Sequence, residues 1–433
     1  MNKNNNMPQL NILYFYTKLN PGGGQKTSIT LAIELKLRGH NIVYVAEKGA
    51  LLESLIKEGV KYFHLPYNRF APEDLEHISL TSILKLINLV KKEKIDLIHT
   101  YQDHPFVIAY IVSMACNIPI INTHVDRAEF FKPPWFRGTV ICVSEEVKDA
   151  VASKYPIRPD NIVVLRNRID LQRYHQGIST KELEIKYLLD PNDRKVVMMS
   201  RIVKEKHNAI LYSLNAIINV ADKIPNLKFI LAGDGDYFNK IEREVKKVNK
   251  VIGREVVLMI GEIVDTATLL NLTDIVLGIG RCAWEGMACA KPTIIVGERG
   301  FAGIVDQTNV NTLGYYNFSG RNITEPVPFE VLSKAIISIL NNKEYANSLS
   351  NFCQKFVTKE FDSKVGGERL EKIYYQVLEN YKMNSPSKIV PFFSSCSIFL
   401  YIYLRVIAKK TILWTLDKIL PNSWHFANRH KSD

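Results

Sequence analysis

The feature that most constrains the fold of this chain is a regular alternation of short apolar runs with helical segments. One series of runs lies within residues 11–143, and a second lies within residues 195–296. Runs that are apolar throughout are typical of strands covered on both faces, and strands that alternate with helices form parallel sheets with right-handed crossovers. We therefore predict an α/β fold with two Rossmann-like, doubly wound parallel-sheet domains that face each other across a cleft.

The predicted strands of the first series are Asn11–Tyr16, Ile42–Ala46, Val60–Leu65, Ile95–His99, Ile118–Asn122 and Thr139–Val143. Those of the second series are Lys195–Met199, Leu227–Ala232, Glu255–Ile260, Asp274–Leu277 and Pro292–Val296. The first helix is predicted over Ser28–Arg38, because Gly39 supplies a typical C-terminal signal.

The chain is predicted to divide into two domains, a closing helix and a tail. The first domain covers residues 8–170 and the second covers residues 171–360. The polar, turn-rich stretch 166–193 between the two series is the predicted hinge. We expect a helix over residues 361–383 to return to the first domain, and residues 384–433 to form a tail of different composition.

The tail contains a stretch, Ile389–Leu404, that has no charge and is rich in Phe, Tyr and Ile, and Arg405, Lys409 and Lys410 follow it. This stretch is shorter than the roughly 20 residues that a spanning helix needs. We predict an in-plane membrane anchor, with packing against the body of the protein or a true span as alternatives. With no secretory signal recognised, we expect a cytoplasmic protein that associates with the inner face of the cell membrane.

Composition and charge restrict the partners. Hydrophobic residues make up 46% and charged residues 23% of the chain, as in soluble globular proteins. The net charge of +12 favours anionic partners. No basic stripe interleaved with aromatic residues is present, so we predict no nucleic-acid partner. The six cysteines form no C-x-x-C pair, which indicates buried reduced thiols and no metal site.

A glycine run follows the first predicted strand and precedes the first helix. Gly22, Gly23, Gly24 and Gln25 lie at this turn, where bare backbone and free helix amides suit a phosphate group. A P-loop is excluded because its pattern requires glycine at the positions of Asn20 and Gln25. The alternative is a tight turn without a ligand.

Polar residues also follow strands in both series. His124 lies just past a strand, where it would orient a hydroxyl or phosphate group or shuttle a proton, and a structural hydrogen bond is the alternative. For His99 the structural interpretation is favoured. Arg201 and Lys206 follow the first strand of the second series, and we predict that they clamp a diphosphate. The alternative for this pair is a solvated basic loop.

A second glycine-containing turn follows the strand Asp274–Leu277. Gly278 and Gly280 precede a short helix whose free amides suit a phosphate. Glu285, about one turn into this helix, is placed to accept hydrogen bonds from ribose hydroxyls, or to complement the helix dipole. The sequence Asp234-Gly235-Asp236 resembles a metal-binding motif, but turn chemistry explains it.

Together these segments resemble the retaining glycosyltransferases of family 4, the group 1 type with the GT-B fold, over residues 12–382. The matching segments are Gly22–Gln25, Asn122–His124, Cys142–Val147, Arg201 with Lys206, Gly233–Gly235 and Glu285–Pro292. The resemblance implies an acceptor-binding first domain and a second domain that binds a UDP- or GDP-sugar. It further implies a glycan or lipid-linked acceptor, retention of configuration, and neither metal nor cofactor.

In this resemblance His124, Arg201 and Lys206 are catalytic, and Glu285 binds the ribose. The family usually has a further glutamate eight residues before Glu285, where this chain has Leu277. We hypothesise that Arg281 compensates by binding phosphate. Two alternatives stay open, namely a nucleotide-sugar epimerase of similar shape and a non-catalytic nucleotide-sugar-binding protein.

Overall fold

Two parallel sheets organise the molecule, one formed by each alternating series, so the predicted α/β fold class is confirmed. The tail that is predicted to anchor the chain at a membrane lies outside the described residues. None of the described helices is long and apolar enough to cross a membrane. The computed structural model describes residues 8–66, 80–101, 103–127, 136, 138–155 and 157–384.

The strands of the first sheet are β1 (Asn11–Lys18), β2 (Asn41–Glu47), β3 (Lys61–His64), β4 (Leu97–Tyr101), β5 (Ile120–His124), β6 (Thr139–Cys142) and β7 (Ile162–Val164). Their order is β3-β2-β1-β4-β5-β6-β7, and all neighbours are parallel. The helices between them are α1 (Gly23–Leu37), α2 (Leu52–Lys57), α3 (Leu80–Lys92), α4 (Asp103–Cys116) and α5 (Glu145–Lys154). Every residue of β4 and β5 is buried, as expected for strands covered on both faces.

The strands of the second sheet are β8 (Arg194–Met199), β9 (Leu227–Ala232), β10 (Val257–Gly261), β11 (Ile275–Gly278), β12 (Thr293–Gly297) and β13 (Gly300–Ile304). Their order is β10-β9-β8-β11-β12-β13, and only β13 runs antiparallel to its neighbour. The helices of this region are α6 (Lys181–Lys186), α7 (Lys204–Lys223), α8 (Phe238–Ile252), α9 (Thr266–Leu272), α10 (Arg281–Ala288), α11 (Val310–Tyr315) and α12 (Phe329–Asn341). In both sheets the strand order reverses beside the first strand, and ligands bind at such switch points.

The chain crosses between the two sheets twice, and the crossings lie side by side. The Ile169 N–H donates to the Phe361 oxygen at 2.9 Å, and the Ser363 N–H donates to the Ile169 oxygen at 3.0 Å. The second crossing joins α13 (Lys343–Phe361) to α14 (Ser363–Asn384). Helix α14 packs against the first sheet and α1, and its Glu371 pairs with Arg38. The two crossings are therefore hydrogen-bonded to each other and together form the hinge between the domains.

A buried polar network fixes α14 on the first sheet. The ring of His99 in β4 lies 2.6 Å from the Tyr374 hydroxyl and 2.7 Å from the Thr123 hydroxyl. The Tyr374 hydroxyl donates to that of Tyr14 in β1 at 3.0 Å. Burial lowers the pKa of His99 to about 3, so the ring is neutral at pH 7. His99 thus makes the structural hydrogen bonds that were favoured for it.

Three features of the fold differ from the sequence-based expectations. Strands β7 and β13 were not predicted, because Ile162–Val164 is short and Gly300–Ile304 contains glycines that weaken a strand pattern. Helix α1 begins at Gly23, five residues before the predicted start at Ser28. Glycine is a poor helix former, so the start was placed after the run, but packing overrides this weak preference.

We predict that Tyr374→Phe lowers the free energy of unfolding of the first domain by about 1–3 kcal/mol, because the buried ring of His99 loses a hydrogen-bond partner. Tyr375→Phe is the matched control, since the hydroxyl of Tyr375 bonds the exposed Pro8 carbonyl. Urea denaturation followed by circular dichroism measures both variants. Equal losses for the two variants would contradict a stabilising role for the buried network.

Candidate active site

A cavity of about 600 Å³ lies between the two domains, at the carboxyl edge of the second sheet. Its wall on the second domain includes Met199 at the end of β8, Gly278 at the end of β11 and Gly297 at the end of β12. Arg127 and Glu146 line it from the first domain. The cavity thus occupies the crevice in which doubly wound sheets bind ligands.

Arg201 lies in the loop between β8 and α7, and Lys206 lies in the first turn of α7. The side chain of Lys206 lines the cavity, whereas Arg201 is exposed and does not line it. Burial, and then the positive charge of Arg201, lower the pKa of Lys206, and the carboxylates of Glu205 and Glu298 partly oppose this effect. The two cations are therefore close enough to act on one anionic group.

The turn after β11 leads into α10 beside the cavity. Gly280 caps this helix with φ of +53°, a conformation that favours glycine, and its N–H donates to the Phe318 oxygen at 2.8 Å. The first turn of α10 contains no acidic residue. Gly278 lines the cavity, and the start of α10 follows it after two residues. The positive end of the α10 dipole therefore lies next to the cavity.

Glu285 and Arg281 form an ion pair on α10, with Arg281 Nε 2.7 Å from Glu285 Oε1. A second nitrogen of Arg281, Nη1, donates to the Arg168 oxygen at 3.2 Å. Both side chains are largely buried, and neither lines the cavity. The guanidinium of Arg281 is thus engaged by Glu285 and by the hinge residue Arg168, and it fixes the orientation of the Glu285 carboxylate.

The missing glutamate of the family pattern has a structural explanation. Leu277 is fully buried within β11, so an acidic side chain at this position would lie in the hydrophobic core. Only Ile279 and Gly280 separate β11 from α10, which leaves no loop to hold an additional carboxylate. The acidic side chains of the second domain that line the cavity are Glu205 and Glu298.

The glycine run forms the first turn of α1. A Cβ atom on Gly24 would lie 3.0 Å from the Tyr16 hydroxyl and 3.4 Å from Val125 Cγ1, so glycine permits close packing against the end of β5. Gly22 is the extended N-cap residue, and its oxygen accepts from the Lys26 N–H at 2.9 Å. The first turn of α1, including Gly23 and Gln25, therefore lies beside the residues that follow β5.

His124 is the last residue of β5 and is buried. Its Nε2 atom lies 3.2 Å from the Asn122 amide nitrogen. The carboxylate of Asp126, two residues further on, adds to burial in raising the pKa of Tyr16. Val125, the residue after His124, packs against the glycine run, so the end of β5 lies beside this run, as the sequence predicts from the shared edge of the sheet.

Charges from both domains meet around the start of α10. Burial, and then the charge of Glu285, raise the pKa of the Cys282 thiol to about 12, whereas Lys26, Arg281 and Lys206 act in the opposite direction. Lys26 belongs to the first turn of α1, so the glycine run faces α10 across the cleft. The sequence analysis assigned no role to Lys26 and missed this position.

A salt bridge between the domains closes one side of the cavity. Arg321 of the second domain donates to both carboxylate oxygens of Glu146 on α5, from Nε at 3.0 and 3.1 Å. Arg127 also pairs with Glu146, and the Tyr315 hydroxyl donates to Asp149 at 2.7 Å. Glu146 lies in the Cys142–Val147 segment, but the pattern of that segment does not indicate a partner in the second domain. Arg321 and Glu146 approach one another only after the domains assemble.

The described residues contain no group of three or more His, Cys, Asp or Glu side chains placed to hold a metal ion. In the Asp234-Gly235-Asp236 segment, the Gly235 N–H donates to the Asp234 carboxylate at 2.7 Å. This hydrogen bond belongs to a turn, which is the interpretation that the sequence favoured.

Comparison with known families identifies the class of this protein. Residues 21–173 match the model of Glycosyltransferase Family 4, and residues 179–356 match the model of Glycosyl transferases group 1. The chain therefore belongs to the glycosyltransferases of this family, and the resemblance to family 4 and to the group 1 type is confirmed.

Individual relatives agree with this assignment. The chain is 21% identical over 379 residues to UDP-Gal:alpha-D-GlcNAc-diphosphoundecaprenol alpha-1,3-galactosyltransferase of Escherichia coli, covering 83% of this chain and 95% of the relative. A glycosyltransferase structure from Rickettsia africae matches 86% of this chain and 100% of its own, with a TM-score of 0.69 and 20% identity. Alr3699/HepE of Anabaena in complex with UDP and glucose covers 85% and 100%, with a TM-score of 0.64 and 18% identity. These structures support the GT-B fold.

We predict that Glu146→Gln loosens the contact between the domains, because a neutral amide cannot hold both arginines by charge. Small-angle X-ray scattering should show a larger radius of gyration than for the wild type. Glu145→Gln is the matched control, since Glu145 precedes Glu146 on the same helix and makes no ion pair among the described residues. An unchanged radius in Glu146→Gln would show that the ion pair does not hold the domains together.

Proposed function

We propose that this chain transfers a sugar from a UDP- or GDP-sugar to a glycan or lipid-linked acceptor, with retention of configuration. The observation that carries the proposal is the meeting of Lys26 from the first domain and Lys206 from the second around Cys282 at the start of α10. A diphosphate bound there would meet positive charge from both domains and the free amides of a helix N-terminus.

In this proposal Arg201 and Lys206 stabilise the leaving nucleoside diphosphate. Negative charge develops on the bridging phosphate oxygen as the bond to the sugar breaks, and cations already placed at that oxygen lower the barrier. The partial burial of Lys206 strengthens its attraction for the diphosphate, because water screens the charge less. Since these side chains supply the positive charge, we expect activity to require neither a metal ion nor a cofactor.

We assign ribose binding to Glu285 and a positioning role to Arg281. The ion pair at 2.7 Å occupies one carboxylate oxygen of Glu285 and orients the other. Because Arg281 also donates to the Arg168 oxygen, this assignment replaces the hypothesis that Arg281 binds phosphate. Gly278 and Gly280 let the backbone approach the donor at the start of α10.

We assign the acceptor side to the first domain. Gly22, Gly23, Gly24 and Gln25 begin α1 opposite α10, and His124 lies at the end of β5 beside them. In our proposal His124 contacts the transferred sugar or the acceptor hydroxyl. The family assignment supports retention, and the E. coli relative, whose name specifies a lipid diphosphate acceptor, supports a lipid-linked substrate. Membrane association through residues 384–433 stays a prediction from sequence.

Arg201→Ala and Lys206→Ala should each lower the rate of sugar transfer by about 10²–10³-fold, because a charge that stabilises the leaving group is lost. Arg194→Ala is the matched control, since Arg194 begins the same strand at its opposite end. Product formation from a panel of labelled UDP- and GDP-sugars measures the effect, and excess EDTA should leave the wild-type rate unchanged. A normal rate in Arg201→Ala would refute the proposed role.

The same panel separates this function from its alternatives. Epimerised donor that forms without an acceptor would identify an epimerase. Nucleotide binding without turnover on any acceptor would identify a binding protein.

The affinity for nucleoside diphosphate should fall as the pH rises through the pKa of Lys206. Because this pKa is lowered from the ordinary lysine value of 10.5, the fall should begin at a lower pH than for an unperturbed lysine. The charged ammonium exists below its pKa, so binding is strong there and weakens as the pH passes through it. Lys206→Arg should remove this fall, since arginine stays protonated. Calorimetric titration between pH 7 and pH 10 tests this, and parallel curves for the two proteins would contradict it.

A further inference from the structure

A second hollow, of about 500 Å³, adjoins the cavity on the side of the first domain. It lies between the residues that follow β5 and the last turns of α5. The residues that line it are Asp126, Arg127, Ala150, Ser153, Lys154 and Arg321. The proposed function assigns no role in donor binding to any of these residues.

The lining of this hollow is strongly basic. Among the described residues of the lining, Arg127, Lys154 and Arg321 contribute three positive charges, and Asp126 contributes one carboxylate. Arg127 and Arg321 also line the larger cavity, so the two spaces share part of their walls. A ligand in the hollow would therefore lie next to a sugar donor in the larger cavity.

The arginines keep donors available although Glu146 pairs with both. Arg127 approaches Glu146 through Nε at 3.3 Å, and Arg321 uses Nε and Nη2. The terminal nitrogens of Arg127 and the Nη1 atom of Arg321 make no hydrogen bond to the residues that the structure describes. Lys154 approaches the same place, with its ammonium 3.5 Å from the Arg127 backbone oxygen.

We propose that this hollow binds a phosphate or diphosphate group of the acceptor, so that the acceptor of this enzyme is a phosphate-bearing glycan or lipid. This inference rests on the proposed function and names the acceptor class for it. Guanidinium groups donate paired hydrogen bonds that match phosphate oxygens, and a lysine adds a point charge. A neutral sugar would not require three cations at this place.

Calorimetric titration of the full chain with geranyl diphosphate tests the proposal, in the presence of 1 mM UDP and GDP to occupy the donor site. We expect Lys154→Ala and Arg127→Ala each to weaken binding about tenfold or more, because each removes a charge-assisted hydrogen bond. Lys154→Arg should retain binding. Lys148→Ala is the matched control, since Lys148 lies on α5 but lines neither space, and its affinity should change less than twofold.

Geraniol, which has the same chain without the diphosphate, should bind at least a hundredfold more weakly. Equal affinity for geranyl diphosphate in the wild type and in the Lys154 and Arg127 variants would overturn the proposal. An equal loss in Lys148→Ala would overturn it as well, because general electrostatic attraction would then explain the binding. Melting temperatures of all variants show whether each one is folded.

A binding experiment with vesicles distinguishes recognition of an acceptor phosphate from recognition of a membrane headgroup. If phosphatidylglycerol vesicles bind through Lys154 and geranyl diphosphate does not, the hollow recognises a lipid surface and the acceptor assignment is wrong. Failure of the proposed function gives a different result. In that case Arg201→Ala would keep its affinity for nucleotide, while the Lys154 and Arg127 variants would still bind geranyl diphosphate more weakly than the wild type.

Discussion

The structure depends on one constraint, which is that the carboxyl edges of two parallel sheets face each other. Each edge carries the start of a helix, α1 in the first domain and α10 in the second. Unpaired amides and the dipole make such helix ends positive, and Lys26 and Lys206 add full charges between them. Without an anion, this concentration of positive charge repels itself. A bound diphosphate would relieve the repulsion and connect the domains.

The hinge and the interdomain contacts serve this arrangement. The two crossings pair through backbone hydrogen bonds at Ile169, and α14 returns the chain to the first sheet. Glu146 and Arg321 also join the domains directly. In the proposed function, the hinge and the breakable ion pair would let the domains close around a donor, and closure would exclude water that hydrolyses it.

The sequence predicted most of the fold because its main signal is local. A strand buried on both faces must be apolar throughout, so runs such as Leu227–Ala232 are recognisable without tertiary information. The candidate site residues were proposed for the same local reason, since each lies in a segment that follows a strand. The structure places Lys206 in the cavity wall, whereas Arg201 and Glu285 do not line the cavity. The early start of α1 was missed because Gly24 gains from packing against Tyr16, which a propensity scale does not contain.

The rest of the site depends on contacts that only the assembled domains create. Arg321 lies in a segment without a motif, and the Cys142–Val147 segment does not indicate that Glu146 pairs with Arg321. The engagement of Arg281 by Glu285 and the Arg168 oxygen could not be read from their spacing alone. The sequence did show that a glutamate is missing at Leu277. It could not show that this position is a core position within β11.

The most direct test of the central claim is a crystal structure of this chain with bound UDP or GDP. Our account predicts the diphosphate at the start of α10, with a phosphate oxygen within hydrogen-bonding distance of the Lys206 ammonium and the first turn of α1 facing it. A nucleotide bound away from both helix starts, with Lys206 and Arg201 not in contact with it, would contradict the account.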